Sequence, residues 1–305
     1  MPGQPSGRAY GGGRPLTALG HPFDWHFHIF WTLAVPALFA SYLLATRAED
    51  RRPSRRQRFR FTLGSAVLLL ALIWPLDDLA AHWSLVALVL QRIILMLVVP
   101  PLLVTGTPRP ILVRLTRPSA IDAILRIIVK PVPAVCLVTA VAVGTLTTGA
   151  VALAAHSDAA RALIQIVVLL SGFVLWAPVL TELPGSQPLS ALGRGGYLIV
   201  QSIVPSFLSI VWIFARRSLY APYDHHSKVM GMTPVLDQQL AGVLAKLSTI
   251  AVLWTVAYIL ITRAHVTSTS DEDVDPLMWS DVEREIERAD RRDRRQRRFS
   301  PPADQ

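Results

Sequence analysis

The sequence predicts an all-α integral membrane protein, a bundle of about seven transmembrane helices, and three observations carry that prediction. Seven charge-poor apolar blocks run through the 305-residue chain, separated by short polar connectors. Mean hydropathy is positive at +0.42 although 17% of residues are charged, so the charge is gathered into connectors and tails. The blocks are apolar on all sides, as helices facing lipid must be, whereas surface helices of soluble domains keep a polar stripe.

In chain order the blocks are Phe27–Thr46, Phe61–Leu76, Trp83–Val104, Pro131–Ala155, Ala162–Leu180, Tyr197–Ala215 and Leu240–Thr262. A helix of about 20 residues crosses the roughly 30 Å hydrocarbon core; the second block is short for this and the fourth can start a turn earlier. Without water, every backbone N–H and C=O must be satisfied inside the segment. Pro36, Pro133, Pro178 and Pro205 therefore read as kinks tolerated among packed neighbours. Residues 1–20, rich in Gly, Pro and Arg and without an apolar signal-peptide core, are expected to be disordered. Residues 21–262 form the predicted transmembrane domain, and residues 263–305 a charged cytoplasmic tail, partly helical.

The basic residues predict orientation. Arg47, Arg51, Arg52, Arg55, Arg56, Arg58 and Arg60 lie between the first two blocks, and Arg109, Arg114, Arg117, Arg126 and Lys130 between the third and fourth. Arg194 and the arginines from Arg263 to Arg298 fall on the same side. The opposite side holds Arg8, Arg14, Arg161, Arg216, Arg217 and Lys228. The positive-inside rule then places the N-terminus outside and the C-terminus in the cytoplasm. The net charge of +9 hugs span ends, where it meets anionic headgroups. No groove-reading motif accompanies it, so nucleic acid is not the expected partner. A single cysteine, Cys136, excludes an intrachain disulfide or a CxxC pair.

Two connectors have patterns of their own. Pro110–Lys130 mixes Ile111, Leu112, Leu115, Ile121, Ile124, Leu125 and Ile127 with arginines and reads as an amphipathic helix in the inner interface. Pro276–Arg298 alternates acids and arginines at helical spacing, which predicts an exposed helix. Trp25, Trp31, Trp74, Trp83 and Tyr42 lie towards span ends and are expected in a headgroup belt.

Under this topology His21, His26, His28, His82, His156, His225 and His226 are outside and only His265 is inside. The segment His225 to Met232 brings two imidazoles and two thioethers, His225, His226, Met230 and Met232, into one outer connector. That mixture suits a soft cuprous ion, although interfacial histidines and methionines without a ligand are the more ordinary reading of it. His82 and His156 complete the candidate set for transient copper contact. Asp78 and His82, with Asp77 beside them, stand four apart, either as a carboxylate-oriented imidazole or as a hydrated helix end. Arg92 is the costliest residue, roughly 15 Å into the third block at 1.5 Å per residue, where insertion costs about 2.5–3.5 kcal/mol. It is expected to face the bundle interior or a wet cavity, near Gln91 and Gln165, and its replacement by leucine should spare insertion and abolish activity. No nucleophile–base pair, metal helix or carboxylate dyad lies in the blocks, so an enzyme is not expected. A copper or small-solute transporter or channel is the rival class, and the absence of an acid inside the blocks weakens it for cations.

The residues also resemble a known family. Gln91-Arg92 followed by an apolar run to Pro100-Pro101-Leu102-Leu103, then Gly106-Thr107-Pro108, is similar to the QH-apolar-PPLL-G-x-P signature of the CtaG family of bacterial seven-span assembly factors for caa-type cytochrome c oxidase. Gly172, Trp176 and Pro178 match its G-x-x-x-W-x-P stretch, and Leu219-Tyr220-Ala221-Pro222-Tyr223 and Asp237-Gln238-Gln239-Leu240-Ala241-Gly242 its later blocks. The resemblance covers roughly residues 21–262. It implies a bacterial inner-membrane protein that contacts oxidase subunits and acts on their copper centres through outer-side histidines. It also marks a departure, because Leu88, Arg92 and Gln165 stand where relatives carry histidine. Any copper role here is thereby shifted to outer-connector residues. The functional candidates are then Asp77, Asp78, Gln91, Arg92, Gln165, Asp237, Gln238 and Gln239, beside the copper set.

Overall fold

The computed structural model describes residues 28–47, 53–118, 123, 130–180, 189–224, 231–272 and 283–292. Among them all regular structure is helical. The helices are α1 (Ile29–Arg47), α2 (Arg55–Leu72), α3 (Leu76–Trp83), α4 (Leu85–Gly106) and α5 (Arg109–Thr116). They continue as α6 (Pro131–Gly144), α7 (Thr148–His156), α8 (Asp158–Trp176), α9 (Ala191–Phe214), α10 (Pro234–Glu272) and α11 (283–292). Five of these are long and apolar enough to cross a membrane, namely α1, α4, α8, α9 and α10. The number rises to seven if the bent pairs α2–α3 and α6–α7 each count as one span.

The chain forms two compact units, Met1–Ala257 and Tyr258–Gln305. In the second, α11 is exposed and carries a Glu287–Arg291 pair at 3.4 Å, one of the spacings that predicted a helix there. In the first, each helix turns one stripe inward. Trp31, Val35, Tyr42 and Thr46 of α1 are buried while Ile29, Phe30, Leu33 and Leu44 are exposed, an outward apolar face suited to lipid.

The short second block gains its missing length at its N-terminus. Ser54 accepts from the Gln57 N–H at 3.1 Å, and Gln57 Oε1 accepts from the Ser54 N–H at 2.9 Å. This capping box starts α2 at Arg55, so four arginines ride on its first turns. Below them, α2 lies flush on the end of α4. A Cβ on Gly106 would come 2.5 Å from the Phe61 nitrogen, so only glycine permits that approach. Tyr42 seals the joint, stacked on Phe61 at 3.7 Å between ring centres and donating to the Gly106 carbonyl at 3.1 Å.

Several expectations are corrected. The fourth block is two helices meeting at 62° across residues 145–147. Pro178 does not kink a helix: α8 stops at Trp176 and a turn follows, because the ring lacks the N–H needed to continue. Trp31, Trp83 and Tyr42 are not a headgroup belt but buried at 7%, 7% and 5% exposure, and for Trp31 and Tyr42 polar partners inside the bundle account for it. In the amphipathic connector, α5 buries Ile111 and Leu112 and exposes Leu115. Residues 119–122 and 124–129 of that connector, like residues 1–20 and Trp25, lie outside the described residues.

Candidate functional site

The bundle's polar centre is an aspartate. Asp77 and Asp78, expected in a connector, sit on α3 and are buried at 1% and 5% exposure. Asp77 is a buried acid whose packing between helices the sequence did not show. Its Oδ1 accepts from Gln91 Nε2 of α4 at 2.8 Å and from Gln165 Nε2 of α8. Its Oδ2 lies 3.3 Å from Arg161 Nε of α8 and 3.5 Å from His28 Nε2 at the head of α1. Gln165 Oε1 in turn accepts from Trp31 Nε1 at 2.7 Å, and Gln91 Nε2 also donates to the Ala71 carbonyl at 2.8 Å. Four spans are thus tied to one carboxylate. Asp78 also meets the imidazole of His28, from Nε2 to Oδ1 at 3.0 Å. Arg161 reaches outward as well, 2.7 Å from the exposed Asp158.

The charges in this cluster are mutually supporting. His28 stands above its ordinary value of 6.5, chiefly through its hydrogen bond to Asp78, with the negative charges of Asp77 and Asp78 adding to it. Burial and the neighbouring Arg161 act against that rise and do not cancel it.

Arg92 is buried and lines a cavity, one of the two surroundings expected for it, but it does not join Gln165. Gln91 and Gln165 turn to Asp77, and Arg92, one residue and about 100° further round the helix, faces elsewhere. It is buried at 6% exposure, and its Nε and Nη1 have no hydrogen-bond partner among the described residues. It lines a cavity of about 90 Å³ between α4, α6, α9 and α10, with Gln201, Ser209, Trp212, Val138 and Leu253 among the other walls. Gln201, at 1% exposure, likewise has both amide atoms unpartnered.

The recognised motifs turn out to hold the breaks in the helices. Pro100 and Pro101 stand four and five residues after Met96, and neither can donate to its carbonyl; α4 answers with a π turn over Ile94–Val98. Trp176 Nε1 donates to that Met96 carbonyl at 3.1 Å. Gly172, one turn earlier, makes this reach possible, since a Cβ there would lie 2.7 Å from Pro100 Cγ and 2.8 Å from Met96 Cα. The PP and G-x-x-x-W stretches are therefore one joint seen from two helices.

The later motifs act at the other end of α4. Asp237 accepts from Ser84 Oγ and the Leu85 N–H, both at 2.6 Å, capping the helix with a charge where its positive end lies. Because Leu85 is taken and the Ser84 N–H bonds to Leu79, the Ala80 carbonyl loses its helical donors; the Tyr223 hydroxyl supplies one at 2.7 Å. At the α6–α7 break the Ala150 N–H turns to Thr147 Oγ1, and Tyr220 donates to the Leu146 carbonyl at 2.6 Å. Gln238 accepts from the Leu219 N–H at 2.9 Å, and Gln239 Nε2 lies 3.5 Å from the Ala215 carbonyl. These two amides pin the connector that carries both tyrosines.

Three of the copper candidates, His82, His156 and Met232, are among the described residues. His156 is exposed with Nδ1 2.6 Å from the Ala152 carbonyl, and Met232 is half-buried. His82 lies in the π turn of α3, and Leu88 lines a small pocket with Gln91, Arg161 and Tyr223. His225, His226 and Met230 lie outside the described residues. Among the described residues no three His, Cys, Asp or Glu side chains assemble as a metal-binding group. Sequence reasoning missed Arg161 and Gln201, and it saw His28 and Trp31 without their roles. Arg161 and Gln165, four apart at the start of a span, were the available signal for the cluster.

The Caa3_CtaG family profile, described as cytochrome c oxidase caa3 assembly factor, matches residues 37–265. No curated protein and no solved structure matches the chain. The matched stretch runs from within α1 to within α10 and takes in the Met96–Trp176 joint, the Asp77 cluster from Asp77 on, and both tyrosine clasps. The chain, a multi-pass membrane protein, belongs to the Caa3_CtaG family of cytochrome c oxidase caa3 assembly factors.

Proposed function

We propose that this protein is an assembly factor of the bacterial inner membrane that docks subunits of a haem–copper cytochrome c oxidase. The family match over residues 37–265 carries this reading. The arginine distribution supports an N-terminus outside and a C-terminus in the cytoplasm, which turns the Asp77 cluster and the Tyr220–Tyr223 connector outward. Copper enters as cargo and not as a resident group. His225, His226, Met230 and Met232, with His82 and His156, are the proposed transient contacts for Cu(I), on the softness of imidazole and thioether donors. A conduit for copper is the weaker reading, since the guanidinium of Arg92 in the central cavity repels a cation.

Deletion tests the reading. The oxidase should lose activity and its copper-centre absorbance, with partial recovery on added copper. Unchanged oxidase spectra and activity in the deletion strain would remove the proposal. Metal content of protein loaded with Cu(I), with and without His225, His226, Met230 and Met232, tests the cargo step separately; equal content in both contradicts it.

A further inference from the structure

The two ends of α4 differ in charge. At its Gly106 end, where α2 lies flush on it, α2 opens with Arg55, Arg56, Arg58 and Arg60, all exposed. α5 begins just beyond Gly106 and adds Arg109 and Arg114, also exposed. The acids described in this unit, Asp77, Asp78, Asp158, Asp224 and Asp237, gather towards the Ser84 end instead. Asp237 accepts from Ser84, Asp77 and Asp158 both meet Arg161, and Asp224 follows the tyrosine that bonds to Ala80. Among the described residues no ion pair reaches the four arginines of α2. The capping box already takes the Gln57 N–H, so side-chain charge is what this end offers a partner. These arginines are continuous with an apolar stripe. At about 100° per residue, Phe59, Leu63 and Leu70 share one face of α2, and they are 67%, 40% and 61% exposed. Arg55 and Arg56 stand one turn before Phe59, on either flank of that face.

We propose that this face binds an anionic phospholipid of the leaflet at that end of the bundle. Its phosphate accepts from Arg55 and Arg56, and an acyl chain lies along Phe59, Leu63 and Leu70. Guanidinium forks match phosphate oxygens in pairs, and Arg109 and Arg114 extend the positive field over neighbouring headgroups. The uncompensated charge selects an anionic over a zwitterionic lipid, whose own cation would meet the arginines. The apolar stripe selects a lipid over a free phosphate or an acidic polypeptide. The proposal goes beyond the assembly reading and stands or falls separately from it, because its test needs no oxidase.

The test is equilibrium binding of radiolabelled dioleoylphosphatidylglycerol to the full-length protein in a non-ionic detergent. Competitors are unlabelled dioleoylphosphatidylcholine, glycerol phosphate and polyglutamate. Saturable binding is expected, with each of the three competing at least about tenfold more weakly than unlabelled phosphatidylglycerol. Replacing both Arg55→Gln and Arg56→Gln should lower affinity about thirtyfold, the combined effect of two arginines at an anionic surface. Phe59→Ala should lower it less. Replacing both Arg216→Gln and Arg217→Gln, exposed at the opposite end, removes the same charge and should leave affinity unchanged. Equal competition by the zwitterionic lipid overturns the proposal, as does an equal loss in both double variants. Equal competition by glycerol phosphate or polyglutamate overturns it too, assigning the face to a free phosphate or an acidic protein segment. Should the Arg55 and Arg56 variant fail to remain monodisperse, the competition series on the unaltered protein decides alone.

Discussion

Gln91 and Arg92 are neighbours on α4, and both are buried, yet their surroundings differ in kind. Gln91 faces a closed network in which one carboxylate, two amides, an indole, a guanidinium and an imidazole answer one another. Arg92 faces an apolar cavity where two of its nitrogens have no partner among the described residues. A single step round the helix separates a polar group that holds the fold from one that the fold has to tolerate. Burial alone therefore does not distinguish a structural ion from a functional one; the state of its partners does.

The largest effect should come from breaking the closed side. Asp77→Leu strands Arg161 without its buried partner, and removing one member of such a pair typically costs roughly 3–5 kcal/mol. Thermal unfolding in detergent should show a large drop for Asp77→Leu. Arg92→Leu should be as stable as the parent or more so, since a buried charge without partners gives way to an apolar side chain. A matching loss in both variants would erase the contrast.

The Met96–Trp176 joint ranks next. Gly172→Val would force branched carbons into Pro100 and the Met96 backbone, at a cost of about 1–3 kcal/mol by overpacking. Trp176→Phe keeps the bulk but leaves the Met96 carbonyl unsatisfied, for a loss of about 1–3 kcal/mol. Unfolding temperatures equal to the parent's in both would deny that the two motifs form one joint.

These joints also show how far the sequence could be read. The blocks, their outward apolar faces and the motif positions were legible because lipid imposes composition directly. The helix breaks were not, since nothing in Pro131–Ala155 signals that Thr147 will capture the Ala150 N–H and bend the span by 62°. Asp77 was misplaced for a related reason. A polar pair between apolar blocks looks like a connector until His28, Gln91, Arg161 and Gln165, from three other spans, are seen to converge on it. Periodicity reports faces of one helix, and this cluster exists only between helices. Arg92 was recognised as expensive, but its direction followed from the geometry of the neighbouring residue and not from its own identity.

The smallest expected effect is a pH dependence on the closed side. His28 has a raised folded-state value, so its stabilising contribution is full below its ordinary 6.5 and is lost as pH climbs through the higher folded value. Asp77, Asp78 and Arg161 face it. Stability should therefore decline as pH rises above 6.5 and through the higher folded value of His28. His28→Gln should flatten the decline; an unchanged slope in that variant would place the titrating group elsewhere.

The contrast between the two sides of α4 is tested most directly by measuring, in one strain background, both the membrane level of the protein and oxidase activity for Asp77→Leu and Arg92→Leu. Asp77→Leu should lose protein and activity together. Arg92→Leu should remain in the membrane at the parental level while oxidase activity falls. Loss of the Arg92→Leu protein from the membrane, or full oxidase activity in its presence, would contradict the division of roles drawn here.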